Sequence, residues 1–514
     1  MDRRKFLYST LMTLGSAPLA SCINADVRFA SNPFTLGIAS GDITPSTAVL
    51  WTRLAPTPAM ANGGMPAKPV AVRWTLATDE GFSQIVQQGE VAAIPALAHS
   101  VHVELDDLQP GRQYWYRFSV GKHVSGVGRT RTLPASTAAV DRLRFATASC
   151  QNYTHGHFVA YQHMVDDDPD FVIHLGDYIY DTSFGETFRK HETESMPASV
   201  DDFRRRHALY KTDPFLQQAH AALPFFFSID NHDAIEDNAP QKAATRAAAY
   251  QAWYEHMPVR GYHRTGANHF DIYRKISVGD LAQICLLDSR QFRDTREICD
   301  GPYAPSYGFG NYRQRCEAVF DPERSMLGTE QEAWLAEAIK TNQRRWNVIA
   351  SPGPFQPFTY QVDQTDLRYI GAWDAYPENR KRVASAIDAA EVGHPIIVSG
   401  DVHSFWAMDG ARTELPDERF AYVEFVTSAV AANWPPPLAQ PVLDNLSRNP
   451  QVSFYDPVYR GYMLHEVNRE QWATTARAID DMRDRASGVR SLARFEVGHG
   501  TQGFTQTQGA VADR

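Results

Sequence analysis

No internal repeat and no low-complexity tract runs through the 514 residues, so neither a solenoid nor a polar disordered chain fits. Positive charge is short: 50 Lys and Arg against 60 Asp and Glu give a net charge of −10. A generic electrostatic hold on nucleic acid is thereby excluded, because phosphate backbones are gripped by an excess of cations. No nucleic-acid scaffold role is expected. The apolar run at the N-terminus is too short and weak to span a membrane. Cysteine is scarce, with 5 in the chain. What is present is an ordinary globular composition, 43% hydrophobic and 11% aromatic. The length exceeds one typical core and points to two domains.

Residues 1–21 read as an export signal rather than as fold. Arg3-Arg4-Lys5 precede a modest apolar run that ends in Leu19-Ala20-Ser21-Cys22, and a basic start with a short apolar centre suits export. Arg3-Arg4 before Phe6-Leu7 resembles a twin-arginine signal, which delivers folded proteins to the Tat export machinery. Leu19 to Cys22 resembles a lipoprotein cleavage box that would leave a lipidated Cys22 and a lipid anchor to the membrane. Simple cleavage among small residues is the alternative. Either way the expected location is exported, in the periplasm or at the cell surface.

Export changes the meaning of the other cysteines. Cys299 and Cys316 bound a polar, Gly/Pro/Tyr-rich segment where a disulfide would staple an exposed loop. Cys285, inside "LAQICLLD", reads as inert core. Cys150 ends "LRFATASC" and is either buried filler or a thiolate ligand.

Two parts follow along the chain. Residues 32–134 carry short alternating segments, "TAVLWTRL", "VAVRWTLAT", "SVHVELDDL" and "YWYRFSV", separated by Gly, Pro and Asp as in a small β-sandwich. Leu108, Pro110, Gly111 and Tyr114 resemble the tyrosine corner of fibronectin-type or immunoglobulin-like sandwiches, a structural feature from which no catalysis is expected. After the linker "TLPASTAAVDR" the pattern changes over 142–514. Runs apolar on both faces ("LRFATAS", "DFVIHLG", "PFFFSID", "LAQICLLD", "WNVIASPG", "PIIVSGD", "YVEFVTS") alternate with helix-compatible stretches. That is the signature of buried sheet layers in an α/β or α+β catalytic domain. Thr329 and Glu332 have capping-box spacing at the head of one such helix.

Four of these runs end in residues able to bind metal or move protons. "ATASC" ends at Cys150, "VIHLGDYIY" at Asp177 and Tyr180, "FFFSIDNHD" at Asp230-Asn231-His232, and "IIVSGDVH" at Asp401 and His403. One Asp after a strand is ordinary turn chemistry. Four endings with S, O and N donors point to one shared site, since ligands of layered α/β folds gather beyond the carboxyl ends of strands.

The motifs "SGDITPSTAVLWTRL", "SCQN", "PDFVIHLGDYIYD", "SIDNHDAIEDN", "LLDSRQFR", "SPGPF" and "VSGDVHSFW" span roughly residues 33 to 406. In that order the sequence resembles the PhoD-type alkaline phosphatases, a branch of the calcineurin-like metallophosphoesterases. The resemblance implies a layered metallophosphoesterase domain behind a small N-terminal sandwich, and hydrolysis of phosphate mono- or diesters. It also implies a ferric ion beside one or two calcium ions, with another divalent metal as the alternative. Cys150 would supply the thiolate, Tyr180 the phenolate, Asp177 a carboxylate bridging two metals, and Asn231, Asp401 and His403 the remaining ligands. His232 would stand beside the phosphate and its leaving group, with Asp177 and His232 together forming the catalytic pair. The family commonly has Asp-Asp-His-Glu where this chain has Asp230-Asn231-His232-Asp233, so one negative charge is missing near the second metal.

The chemistry fits these residue types. A phosphate ester is an anion, and two cations about 3.5–4 Å apart can clamp its oxygens and acidify a water. Thiolate and phenolate suit a highly charged transition metal, while carboxamide and carboxylate oxygens suit calcium. Arg290 is read either as a phosphate contact or as a structural partner of Asp288. His155, His157 and His191 are read as loop residues without paired partners. The alternatives to a phosphomonoesterase are a phosphodiesterase or phospholipase D-like activity on the same site, or a non-catalytic surface-attached binding module.

Overall fold

The computed structural model describes residues 28–234, 242–261, 270–296, 298–299, 312–362, 364–390, 395–412, 422–434 and 436–509. Arg3, Arg4 and Cys22 lie outside them.

Two sheets face each other. One has ten strands, ordered in space as Gln506–Gln508, Val489–Gly498, Gln471–Ile479, Arg460–Asn468, Arg142–Ala148, Phe171–His174, Pro224–Phe227, Ile38–Gly41, Ala48–Arg53 and Ser100–Leu105. The other has seven, ordered Arg274–Val278, Ala282–Leu286, Trp346–Ala350, Ile396–Ser399, Val423–Val426, Phe405–Asp409 and Val452–Asp456. The centre of each is parallel: 142–148, 171–174 and 224–227 in the first, 282–286, 346–350, 396–399 and 423–426 in the second.

Strand alternation assigns the faces. Phe145, Phe171 and Ile173 turn inward and pack with Ile284, Val348, Val398 and Phe425 in a common core between the sheets. Their neighbours Ala146, Val172, Phe225 and Phe227 turn outward into a second core, covered by helices Val200–Lys211, Pro214–Ala222 and Ala243–His256. On the far side, Cys285, Ile349 and Ile397 meet helices Gly328–Lys340 and Pro377–Asp388. The result is an α/β/β/α stack, which is why the central strands read as apolar on both faces.

The N-terminal strands form where the alternation places them, at 48–53, 70–77, 100–105 and 113–120. The Tyr114 hydroxyl accepts the Gln109 backbone N–H at 2.9 Å, closing the tyrosine corner. One sheet of this sandwich is continuous with the catalytic core: Ile38–Gly41 runs parallel to Pro224–Phe227, with Ser40 opposite Pro224 and Gly41 opposite Phe225. At the other edge, the antiparallel strands at 460–468, 471–479 and 489–498 extend the same sheet beyond the last run singled out from sequence.

Two local expectations meet different outcomes. Cys299 and Cys316 are disulfide-bonded, as their setting suggested. The Thr329–Glu332 capping box does not form. The helix already starts at Gly328 without a side-chain cap, and the Glu332 carboxylate is drawn across to Asn379 and Arg382 on the neighbouring helix.

Candidate metal centre

The carboxyl ends of 142–148, 171–174, 224–227 and 396–399 converge, and the backbone there is bent to bring donors inward. Cys150 (φ 57°), Asp177 (φ 54°), Asp401 (φ 74°) and His403 (φ 47°) all occupy the left-handed region. For non-glycine residues that costs roughly 1 kcal/mol each, a strain that persists where the surroundings over-determine it. Two glycines make the convergence sterically feasible. At Gly176 (φ 114°) a Cβ would lie 2.5 Å from the Asp230 Cβ, and at Gly400 it would lie 2.7 Å from Ser149 Oγ. The Gly-Asp pair that ends the strand before Asp177 is therefore a close-packing device, and the same holds before Asp401.

Two donor groups result, sharing one residue. Cys150, Asp177 and His403 offer atoms within 4.8 Å of one another, as do Asp177, Asp230 and Asp401. Tyr180 joins the first group, its hydroxyl 2.8 Å from His403 Nε2. His403 Nδ1 donates to the Asn433 carbonyl at 2.9 Å, which turns Nε2 toward the donors, and burial drops this imidazole to about 3, so it is neutral. Cys150 Sγ lies 3.7 Å from Asp177 Oδ2.

Charge explains what such a cluster requires. Burial pushes Asp177 and Asp401 above the usual carboxylate range, with repulsion from Asp230 adding to it. Burial likewise pushes the Cys150 thiol up, Asp177 reinforcing it, and raises the Tyr180 phenol. Buried acids this close ionise together only beside a cation. The donors fit that demand: thiol, phenol and imidazole on one side of Asp177, carboxylates on the other.

Around this core stand further residues, of which Asp181 and Asp233 have no role assigned from sequence. Asp230 belongs to the second donor group, while the Asn231 Oδ1 accepts from Arg290 Nη2 at 3.3 Å. The Arg290 guanidinium also bonds Asp230 and lies 3.7 Å from Asp401 Oδ1. Asp288 accepts the backbone N–H groups of Arg290 and Gln291, a structural pairing of the kind suggested from sequence, while the guanidinium turns to the acidic group. Asp181 Oδ1 is 2.6 Å from His232 Nδ1, and the His232 backbone N–H donates to Asp177 Oδ1 at 3.0 Å. Burial would raise Asp181, but the His232 hydrogen bond and charge outweigh it and leave the carboxyl below its ordinary value. Asp233 accepts the backbone N–H groups of Asp177 (2.7 Å), Tyr178 (2.8 Å), Ile179 (3.2 Å) and Asp230 (3.0 Å), locking two strand ends together.

The remaining histidines stay outside the cluster but are not unpaired. His155 bridges the Phe184 carbonyl and the Asn433 N–H. His191 reaches Ser183 and the Tyr210 hydroxyl, and the His157 ring packs edge-on to Phe188.

An α/β/β/α core with a buried N/O/S donor cluster at its parallel strand ends defines a metallophosphoesterase. A purple acid phosphatase from yellow lupin shares the fold, with a TM-score of 0.57 at 10% identity over 90% of this chain and 74% of that one. The family models for the PhoD-like phosphatase and its N-terminal domain match residues 145–476 and 20–134. Alkaline phosphatase D of Bacillus subtilis (strain 168) is 37% identical, over 96% of this chain and 87% of its own. A solved structure of PhoD superposes with a TM-score of 0.86 at 35% identity, covering 94% of both chains. The chain belongs to the PhoD-like phosphatase family and is a hydrolase acting on phosphate esters.

Proposed function

We propose that this chain is an exported, metal-dependent phosphoesterase of the alkaline phosphatase D type, releasing phosphate from organic phosphate esters. The observation that carries the metal dependence is the position of Asp177, shared between a Cys/His/Tyr group and a carboxylate group. Cys150, Tyr180 and His403 would hold a ferric ion. Asp230 and Asp401, with Asn231 beside them, would hold calcium, and Asp177 would serve both. When bound, these cations neutralise the phosphate oxygens and acidify a water.

The chain's own residues supply orientation and proton control. Asp181 accepts from His232 Nδ1, so Nε2 is the atom that can pass a proton to the leaving oxygen. The Asp177 carboxylate accepts the His232 backbone N–H, which ties that ring to the metal-binding loop. Arg290, anchored on Asp230 and Asn231, adds a fixed positive charge at the edge where phosphate binds. Export rests on the Arg3-Arg4 signal, and Cys22 is the proposed lipid attachment.

Elemental analysis of purified protein, together with hydrolysis of p-nitrophenyl phosphate and bis(p-nitrophenyl) phosphate, tests this reading. Bound metal with turnover of either ester supports it, and the two rates rank monoester against diester. Protein without metal and without hydrolysis overturns it in favour of a binding module.

A further inference from the structure

We infer that Tyr369 is a positioning residue for the metal centre, and that the Cys299–Cys316 disulfide acts on the centre through it. The inference rests on the metal-centre reading above. The Tyr369 hydroxyl donates to Asp401 Oδ2 at 2.8 Å, fixing one oxygen of a carboxylate that belongs to the Asp177–Asp230–Asp401 group. A carboxylate held by such a bond keeps its other oxygen aimed and loses less freedom when it ligates.

The ring has to be held for that bond to form. Gly371 leaves room for it, since a Cβ there would lie 2.5 Å from the Tyr369 hydroxyl oxygen. Tyr369 ends the strand Thr365–Tyr369, which pairs on one side with Tyr360–Val362 and on the other with Tyr312–Arg313. Tyr312 stands opposite Tyr369 in this register. Its ring lies 5.6 Å from that of Tyr369 and meets Tyr360 edge-on at 4.7 Å. A two-residue strand has little stability of its own. Its ties follow immediately in sequence: Arg315 Nη2 bonds Asp374 Oδ1 at 2.9 Å, and Cys316 is bridged to Cys299. Asp374 is itself fixed by Arg380 and by the Phe358 backbone N–H. The cross-link thus lies three residues along the chain from the short strand, and from there contacts run through the Tyr312–Tyr369 pair to Asp401. Reduction by a dithiol would convert the disulfide to two thiols, with oxidation of the reductant to its own disulfide, and would release the tie on Tyr312.

Three variants of the full chain test this: Tyr369→Phe, Cys299→Ser with Cys316→Ser, and the three changes combined. The readout is metal retained per chain during dialysis against a chelator, measured by elemental analysis, with melting temperature as a control. Tyr369→Phe keeps the ring and its packing, and is expected to shed the metal of the carboxylate side about tenfold faster. The serine pair should shed it faster too, and so should dithiol-reduced wild type. The combined variant should be no worse than Tyr369→Phe alone, because both act through one contact. Unchanged retention by Tyr369→Phe, or losses that simply add, would overturn the inference while leaving the metal centre intact. A wild-type chain that carries no metal would overturn the metal centre itself, and this inference with it.

Discussion

Asp181 and His232 show what a single carboxylate does when it acts through another residue. With Nδ1 held by Asp181 at 2.6 Å, the imidazole has one orientation and one nitrogen for proton exchange. Asp181→Asn should lower kcat by about 10-fold to 100-fold with KM nearly unchanged. Combining it with His232→Ala should be no worse than His232→Ala alone. Additive losses would show that Asp181 does something else. Tyr180 is tested by light: phenolate and thiolate on a ferric ion absorb in the visible by charge transfer. Purified enzyme should therefore be coloured, and Tyr180→Phe should bleach or shift the band and depress activity. A coloured, fully active Tyr180→Phe enzyme would return Tyr180 to the role of a core aromatic.

Lys211 gives a stability prediction away from the centre. Its ammonium sits over the rings of Trp51 and Tyr178, at 4.2 and 5.3 Å, and burial lowers its amine from 10.5 to about 7. Between those values the unfolded chain binds a proton that the folded chain does not, so this group makes stability rise with pH across that window. Lys211→Met should flatten the rise in melting temperature from pH 7 to pH 10 relative to wild type. Identical slopes would contradict it.

Residues of this kind differ in how far a sequence exposes them. Cys150, Asp177, Asp401 and His403 stand at the ends of apolar runs, and their donor chemistry is visible there. Asp233 was visible only as part of a motif. Its task is to collect backbone N–H groups some 55 residues away, and no periodicity encodes that. Tyr369 was invisible for the same reason, since its partner Asp401 lies 32 residues on, in the loop after a strand of another sheet.

At the scale of elements, the strand ends depend on glycines more than on the strands themselves. Gly176→Ala would force a methyl to within 2.5 Å of the Asp230 Cβ at a φ of 114°. We expect a loss of roughly 2 kcal/mol or more, with metal lost even where the protein still folds. Denaturant titration of Gly176→Ala and of an exposed control, Gly121→Ala, checks this, because Gly121 has nothing within 4 Å although its φ is also positive. Equal costs at the two positions would mean that backbone strain alone, not close approach, explains Gly176. The seven apolar runs were legible because a strand buried on both faces has no polar alternation to confuse it with a surface element. The strands 460–468 and 471–479 were harder to see. They interleave Arg, Glu and Thr with apolar residues, and parts of them form ion pairs such as Arg477 with Asp167. The capping-box expectation failed for a tertiary reason, the pull of Arg382 on Glu332.

At the scale of the whole molecule, the N-terminal sandwich is part of the catalytic architecture. Its strand Ile38–Gly41 covers the edge of Pro224–Phe227, and Arg53 reaches His256 at 2.7 Å across the same junction. Deleting residues 32–134 should leave an exposed parallel edge and an aggregating product rather than a smaller active enzyme; a soluble, active truncation would contradict this. We propose that both parts fold before export, as the twin-arginine signal suggested from sequence would require. Exchanging Arg3 and Arg4 for lysine should keep the chain in the cytoplasm on fractionation, and Cys22→Ala should free it from membranes. Unchanged export would remove the first reading, and unchanged membrane association the second.

We propose that four strand ends build one centre in which Asp177 serves two kinds of metal ion. Elemental analysis of wild type beside Asp177→Asn tests it most directly, since the amide keeps the shape and removes the charge. Wild type should carry iron together with calcium, and Asp177→Asn should lose calcium, hold iron more weakly and show a large fall in kcat, with folding largely kept. Asp177→Asn protein with wild-type metal content and wild-type rate would contradict it.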